Sequence, residues 1–140
     1  MPSQARRDGD VSPPPAGTRT ARFRPVERIR RRPDFQKVYE LGARIGGRYS
    51  TVFMLPNGGT TGRLGIAATK KFGGAVARNR AKRLIREVFR RNKLAPGFDI
   101  VVIPKRGLLD ATLTVLEADY RALVERQLER ARRTGRDPRL

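Results

Sequence analysis

The chain has 140 residues, with 32 Lys and Arg against 13 Asp and Glu, a formal charge of +19, and no Cys or His. Disulfides, the usual zinc sites and Cys or His catalysis are therefore excluded, and so large a positive charge calls for a polyanionic partner to offset its own repulsion. Nucleic acid is the first candidate because neutralised phosphates release condensed counterions; the rival is an anionic membrane surface, although no apolar run is long enough to span a bilayer.

Residues 1–25 read as a disordered Pro/Arg-rich tail around Pro13-Pro14-Pro15. They carry too little apolar surface to fill a core and lack the apolar stretch of a secretory signal. A folded domain is expected over 26–131, followed by a basic tail over 132–140.

Arg28, Arg30, Arg31 and Arg32 lead into Pro33-Asp34-Phe35. Proline suits the first turn of a helix, and Asp34 complements the helix dipole. That helix is predicted to run to Leu41 and stop at Gly42. Phe35, Val38 and Tyr39 share a face by their spacing.

Tyr49 to Leu55 predicts a strand, with Tyr49, Thr51 and Phe53 on one side and Ser50, Val52 and Met54 on the other. Pro56-Asn57-Gly58-Gly59 is a turn signal. Arg63 to Thr69 predicts the return strand. Its Gly65, Ala67 and Thr69 face is small enough to floor a shallow groove.

Lys70-Lys71-Phe72-Gly73-Gly74 makes a basic, glycine-bearing loop. It lacks P-loop spacing, and its glycines could simply shape a tight turn. A helix from Ala75 to about Lys93 follows, with Ala81, Leu84, Ile85, Val88 and Phe89 as its apolar stripe. Phe98 to Ile103 is a nearly continuous apolar run, the mark of a buried strand. Thr114 with Glu117 matches a capping box. Leu116, Tyr120, Leu123, Val124 and Leu128 then recur at helical spacing. The coarse order is helix, two or three strands, helix, strand, helix, which is an α+β layer sandwich.

The second helix carries the chemistry. At about 100° per residue, Arg78, Asn79, Lys82, Arg83, Arg86 and Arg90 lie beside and opposite the apolar stripe, with Arg80 and Glu87 on the far flank. Guanidinium forks grip phosphate bidentately and stack on bases. Asn79 adds both a donor and an acceptor. Glu87 could steady Arg83, four residues back. The loop strengthens the reading, since glycine lets backbone amides approach an anion and a helix N-terminus favours phosphate. Lys70 and Lys71 stand beside it. The bland alternatives are a solvated basic face or a helix lying on anionic lipid. The second conflicts with an apolar stripe that the core needs.

The run Thr69-Lys70-Lys71-Phe72-Gly73-Gly74-Ala75-Val76-Ala77-Arg78-Asn79-Arg80-Ala81-Lys82-Arg83-Leu84-Ile85-Arg86, with its Arg-Asn-Arg element, resembles the signature of the bacterial ribonuclease P protein component. Arg32-Pro33-Asp34-Phe35-Gln36-Lys37-Val38-Tyr39 with Gly42 resembles that family's first helix. The match spans roughly Arg28 to Glu129. It implies a two-layer sandwich of a central mixed sheet of about four strands with three helices. It also implies kinship with the second domain of ribosomal protein S5 and a left-handed βαβ crossover, opposite to the usual rule.

The resemblance further implies two RNA sites. Lys70, Lys71, Arg78, Asn79, Arg80, Lys82, Arg83, Arg86 and Arg90 would face the catalytic ribonuclease P RNA. Phe35, Tyr39 and Phe53 would line a cleft for the single-stranded 5′ leader of precursor tRNA. Single strands are held by stacking on rings, with cations tracking the backbone. Read from the residues alone, each of these aromatics is better explained by core packing; the resemblance reverses that for Phe35 and Tyr39, and less so for Phe53.

No catalytic residue is assigned to the protein. Asp34, Glu40, Glu87, Asp99, Asp110, Glu117 and Asp119 are scattered among the elements, and nothing reads as a two-metal site. The resemblance places Mg²⁺ and cleavage on the RNA subunit, and one protein per catalytic RNA. It leaves the protein to hold the leader and offset phosphate repulsion, in the cytoplasm and away from membranes. The remaining alternative is a structural RNA binder such as a small ribosomal protein, from which the aromatic cleft and the Arg-Asn-Arg element distinguish it.

Overall fold

A computed structural model describes residues 24–135. The tail expected over 1–25 therefore lies outside the described residues apart from Arg24 and Pro25. The elements are α1 (Arg32–Leu41), β1 (Ala43–Gly46), β2 (Ser50–Pro56), β3 (Arg63–Ile66), α2 (Ala75–Arg91), β4 (Phe98–Pro104) and α3 (Leu113–Thr134). Short 3₁₀ turns cover Pro25–Glu27 and Arg106–Asp110. Four strands form one mixed sheet in the order β1-β2-β4-β3. β1 with β2 and β2 with β4 are antiparallel, whereas β3 with β4 is parallel. α2 is the crossover between the parallel pair, so this is the α+β sheet with three helices that the sequence leads one to expect.

Alternation assigns the two faces of the sheet. Val52, Met54, Leu64, Ile100 and Val102 join Ala81, Ile85, Val88 and Phe89 of α2 and Leu116, Tyr120, Leu123, Val124 and Leu128 of α3 in the main core. Burying each of the larger aliphatic and Phe side chains stabilises the fold by roughly 1.5–3 kcal/mol before ordering costs. The other face carries α1. There Val38, Ile29 and Val101 pack with the half-buried Phe35, Phe53, Leu55 and Ala67. Gly65 makes this second packing possible, because a Cβ built on it would lie 2.7 Å from the Phe35 ring.

Several local expectations shift. β1 is a strand to which the sequence assigns no residues, although the expected order leaves room for a third strand before α2. β3 ends at Ile66 rather than Thr69, with the Ala67 amide still donating to the Val102 carbonyl at 3.0 Å. Tyr49 does not share a face with Thr51 and Phe53. It precedes β2 and packs against the main core on the opposite side. The cap of α3 lies two residues before Thr114: it is Thr112, whose hydroxyl accepts from the Val115 amide at 3.2 Å. α3 also continues through Thr134, into the segment read as a basic tail.

Two buried acids tie distant segments together. Asp99 of β4 accepts from Arg63 Nε at 2.8 Å and Nη2 at 2.6 Å, and from Asn57 Nδ2 at 2.9 Å. Glu27 accepts from the Arg24 amide at 2.7 Å and from Lys93 Nζ at 3.1 Å. These acids thus serve the scaffold and leave the basic face of α2 to others.

Candidate RNA interface

The loop at 67–74 delivers the chain to α2, whose N-cap is Gly74 with no side-chain cap. The first-turn N–H groups are left without an acid or hydroxyl of their own element, the setting in which a helix end attracts an anion. One Arg78 guanidinium nitrogen donates to the Gly73 carbonyl at 2.8 Å. That bond braces the loop against the helix and leaves the other Arg78 donors available. Lys70, Lys71, Asn79, Arg80, Arg83 and Arg86 are exposed, and Arg78 and Lys82 are half-buried. Among the described residues, no acid forms an ion pair with Lys70, Lys71, Arg78, Arg80, Lys82, Arg83 or Arg86.

Arg90 differs from its neighbours. Glu87 pairs with Arg90 and lies 3.8 Å from Arg91 Nη1, so the expected Glu87–Arg83 pair is replaced by contacts in the other direction. A glutamate meets a cation three or four residues C-terminal to it more favourably than one N-terminal to it. Arg91 in turn lies 3.2 Å from Glu117 of α3.

Arg86 sits among like charges. Burial, then the guanidinium groups of Arg28 and Arg83, hold its pKa below the usual arginine range. It lines a cavity of about 220 Å³ with Lys82, Arg28 and Arg30, over a floor of Ile29, Leu64, Ile66 and Phe35. In the sequence Arg28 and Arg30 look like no more than a lead-in to α1. The parallel bridge between Arg28 and Leu64 brings them to the β3 edge beside α2. Their signal in the sequence was the arginine run itself, but its place on β3 is a long-range contact.

Phe35, Tyr39 and Phe53 come together on the α1 side of the sheet. The Phe35 and Tyr39 rings are 6.5 Å apart and tilted, and the Tyr39 and Phe53 rings meet edge to face at 5.1 Å. None is sealed, and Tyr39 is 36% exposed. Burial raises the Tyr39 pKa, so its hydroxyl stays neutral at physiological pH. Phe35 also lines the cationic cavity. The ring cluster and the basic helix, on opposite sides of the sheet, are therefore continuous around the β3 edge.

Arginine-rich helical surface that meets partly exposed rings at a strand edge, on a small α+β scaffold, is the arrangement of an RNA-binding protein. The family model for ribonuclease P matches residues 23–128. The ribonuclease P protein component of Clostridioides difficile is 36% identical over 107 residues, which cover 74% of this chain and 94% of that protein. The solved RNase P protein from Thermotoga maritima superposes with a TM-score of 0.66 at 38% identity, covering 71% of this chain and 96% of that one. The RNase P protein of Staphylococcus aureus gives 0.63 at 34% identity over 71% of this chain and 93% of that one. The chain belongs to the ribonuclease P protein component family.

Proposed function

We propose that this protein, as a subunit of ribonuclease P, binds the catalytic RNA through α2 and the Lys70-Lys71 loop. Phe35, Tyr39 and Phe53 receive the unpaired 5′ leader of precursor tRNA during its endonucleolytic removal. The observation that carries this reading is the pairing of two chemistries on one scaffold: cations without acid partners on α2, and three accessible rings on the other face of the sheet. Structured RNA presents phosphates to the first, and unpaired bases stack on the second.

The protein's part is positional and electrostatic. It holds the leader beside the ribozyme and offsets the repulsion between two polyanions. Mg²⁺ belongs to the RNA subunit in this reading. Among the described residues no three acidic side chains gather as a metal site, and Asp99 and Glu27 are already committed to cationic partners. One protein per catalytic RNA and a cytoplasmic location complete the reading. No described helix is long and apolar enough to cross a membrane.

Reconstitution tests it. Adding the protein to its ribonuclease P RNA is expected to lower the Mg²⁺ concentration that supports leader removal. An unchanged Mg²⁺ requirement, with unchanged affinity for leader-bearing precursor, would return the protein to the class of structural RNA binders.

A further inference from the structure

β1 adds something that neither the signature nor the ring cluster assigns. Arg44 stands directly opposite Phe53 in the antiparallel register, and Gly46 stands opposite Thr51. Register partners share a face, and so do residues two apart on a strand. Arg44 and Gly46 therefore lie on the α1 side with Phe53, whose ring meets Tyr39 at 5.1 Å. Ile45, between them, is buried in the main core on the other side.

Arg44 is exposed and has no acid partner among the described residues. Cross-strand neighbours on one face stand about 5 Å apart at Cβ, so its side chain is long enough to meet a phosphate beside the Phe53 ring. Gly46 is also exposed, and a Cβ built there meets nothing within 4 Å. The face beyond the rings is thus open along β1, with a free guanidinium at its entrance.

We propose that β1 forms the bank of a track for single-stranded RNA. Arg44 grips a backbone phosphate of the strand whose bases stack on Tyr39 and Phe53, and Gly46 leaves the space through which that strand passes. The chemistry favours phosphate, since a guanidinium beside ring faces can hold the backbone while the bases stack. The inference rests on the leader reading above and extends it to two further residues.

The test uses holoenzyme reconstituted from the full chain and its ribonuclease P RNA. Binding is compared for precursor tRNA with an unstructured leader and for the same tRNA without one. Arg44→Ala is expected to lower the leader-dependent gain in affinity about tenfold, as for loss of one charge-assisted contact. It should also reduce the slope of log affinity against log salt by about 0.7, one single-strand phosphate. Gly46→Val is expected to cut the same gain while leaving the thermal midpoint unchanged, because the space it fills is empty. Phe53→Ala is the control for the leader reading. If Phe53→Ala abolishes the gain and neither β1 variant touches it, the track is wrong and the leader cleft stands. If Phe53→Ala is also silent, both are wrong.

Discussion

Charge reversal at Arg86, Arg86→Glu, is expected to weaken binding to ribonuclease P RNA about a hundredfold and to leave the fold intact. The reason lies in what surrounds the group. Arg28 and Arg83 both oppose its charge, partial burial opposes it further, and no described acid compensates. The free protein thus holds a cluster of like charges at the β3 edge that a phosphate would relieve. Removing a repelled charge should not cost stability, so Arg86→Ala should keep or slightly raise the thermal midpoint while losing about tenfold in RNA affinity. The slope of log affinity against log salt should fall by roughly 0.7–0.9, the value for one phosphate. A loss of affinity accompanied by a lowered midpoint would instead make Arg86 a structural residue.

Asp99→Ala is expected to have the opposite signature, a loss of about 3 kcal/mol of stability with the RNA affinity of the folded fraction preserved. Asp99 is nearly buried, with its side chain 8% exposed and its Arg63 partner 31% exposed. It accepts two hydrogen bonds from that guanidinium and one from Asn57. Asn57 Nδ2 also donates to the Thr61 carbonyl, and Asn57 Oδ1 accepts from the Gly59 amide. One carboxylate therefore fixes the start of β3, the start of β4 and the turn between β2 and β3, where Gly58 takes a positive φ of 77°. Arg63 reaches toward Asp34 of α1 as well, at 4.0 Å, so the loss would spread to the helix that carries Phe35 and Tyr39. Urea denaturation reads this directly. A midpoint unchanged from wild type would show that water replaces the carboxylate at no cost.

The two variants separate the roles of charge in a protein that is so basic overall. Its buried carboxylates pair where segments far apart in sequence must meet, as at Asp99 with Arg63 and at Glu27 with Lys93. Among the described residues, cations without an acid partner line α2 from Arg78 to Arg86 and the loop before it. That group is legible in the sequence because a helix repeats its faces every few residues, and Arg78, Lys82 and Arg86 follow that period beside the buried Ala81, Ile85 and Val88. The α3 stripe was legible for the same reason.

What escaped was set by contacts of high sequence separation or by weak local patterns. β1 has only four residues, Ala43-Arg44-Ile45-Gly46, and a single large apolar side chain. Nothing in it alternates strongly enough to announce a strand. Its pairing with β2 supplies what its own sequence lacks. At α3 the spacing of Thr114 and Glu117 points to Thr114 as the cap, yet Thr112 is where the chain turns out of the extended conformation. The alternation of β2, extended back one residue, puts Tyr49 on the wrong face. Just before the strand the chain bends, and the ring is free to pack on the other side. Phe35, Tyr39 and Phe53 were grouped through the family resemblance, and their mutual distances support that grouping. The continuity between their cluster and α2 around the β3 edge had no signature in the sequence, because it depends on Arg28 pairing with Leu64.

Photocrosslinking within the assembled ribonucleoprotein tests the two-surface scaffold most directly. The leader carries photoreactive bases in one sample and the ribonuclease P RNA carries them in another, and the attached peptides are mapped by mass spectrometry. Leader crosslinks are expected at Phe35, Tyr39 and Phe53, and ribozyme crosslinks at Lys70, Lys71 and along α2 from Arg78 to Arg86. Leader crosslinks confined to α2, or ribozyme crosslinks centred on the three rings, would contradict the division of labour between the two faces of the sheet.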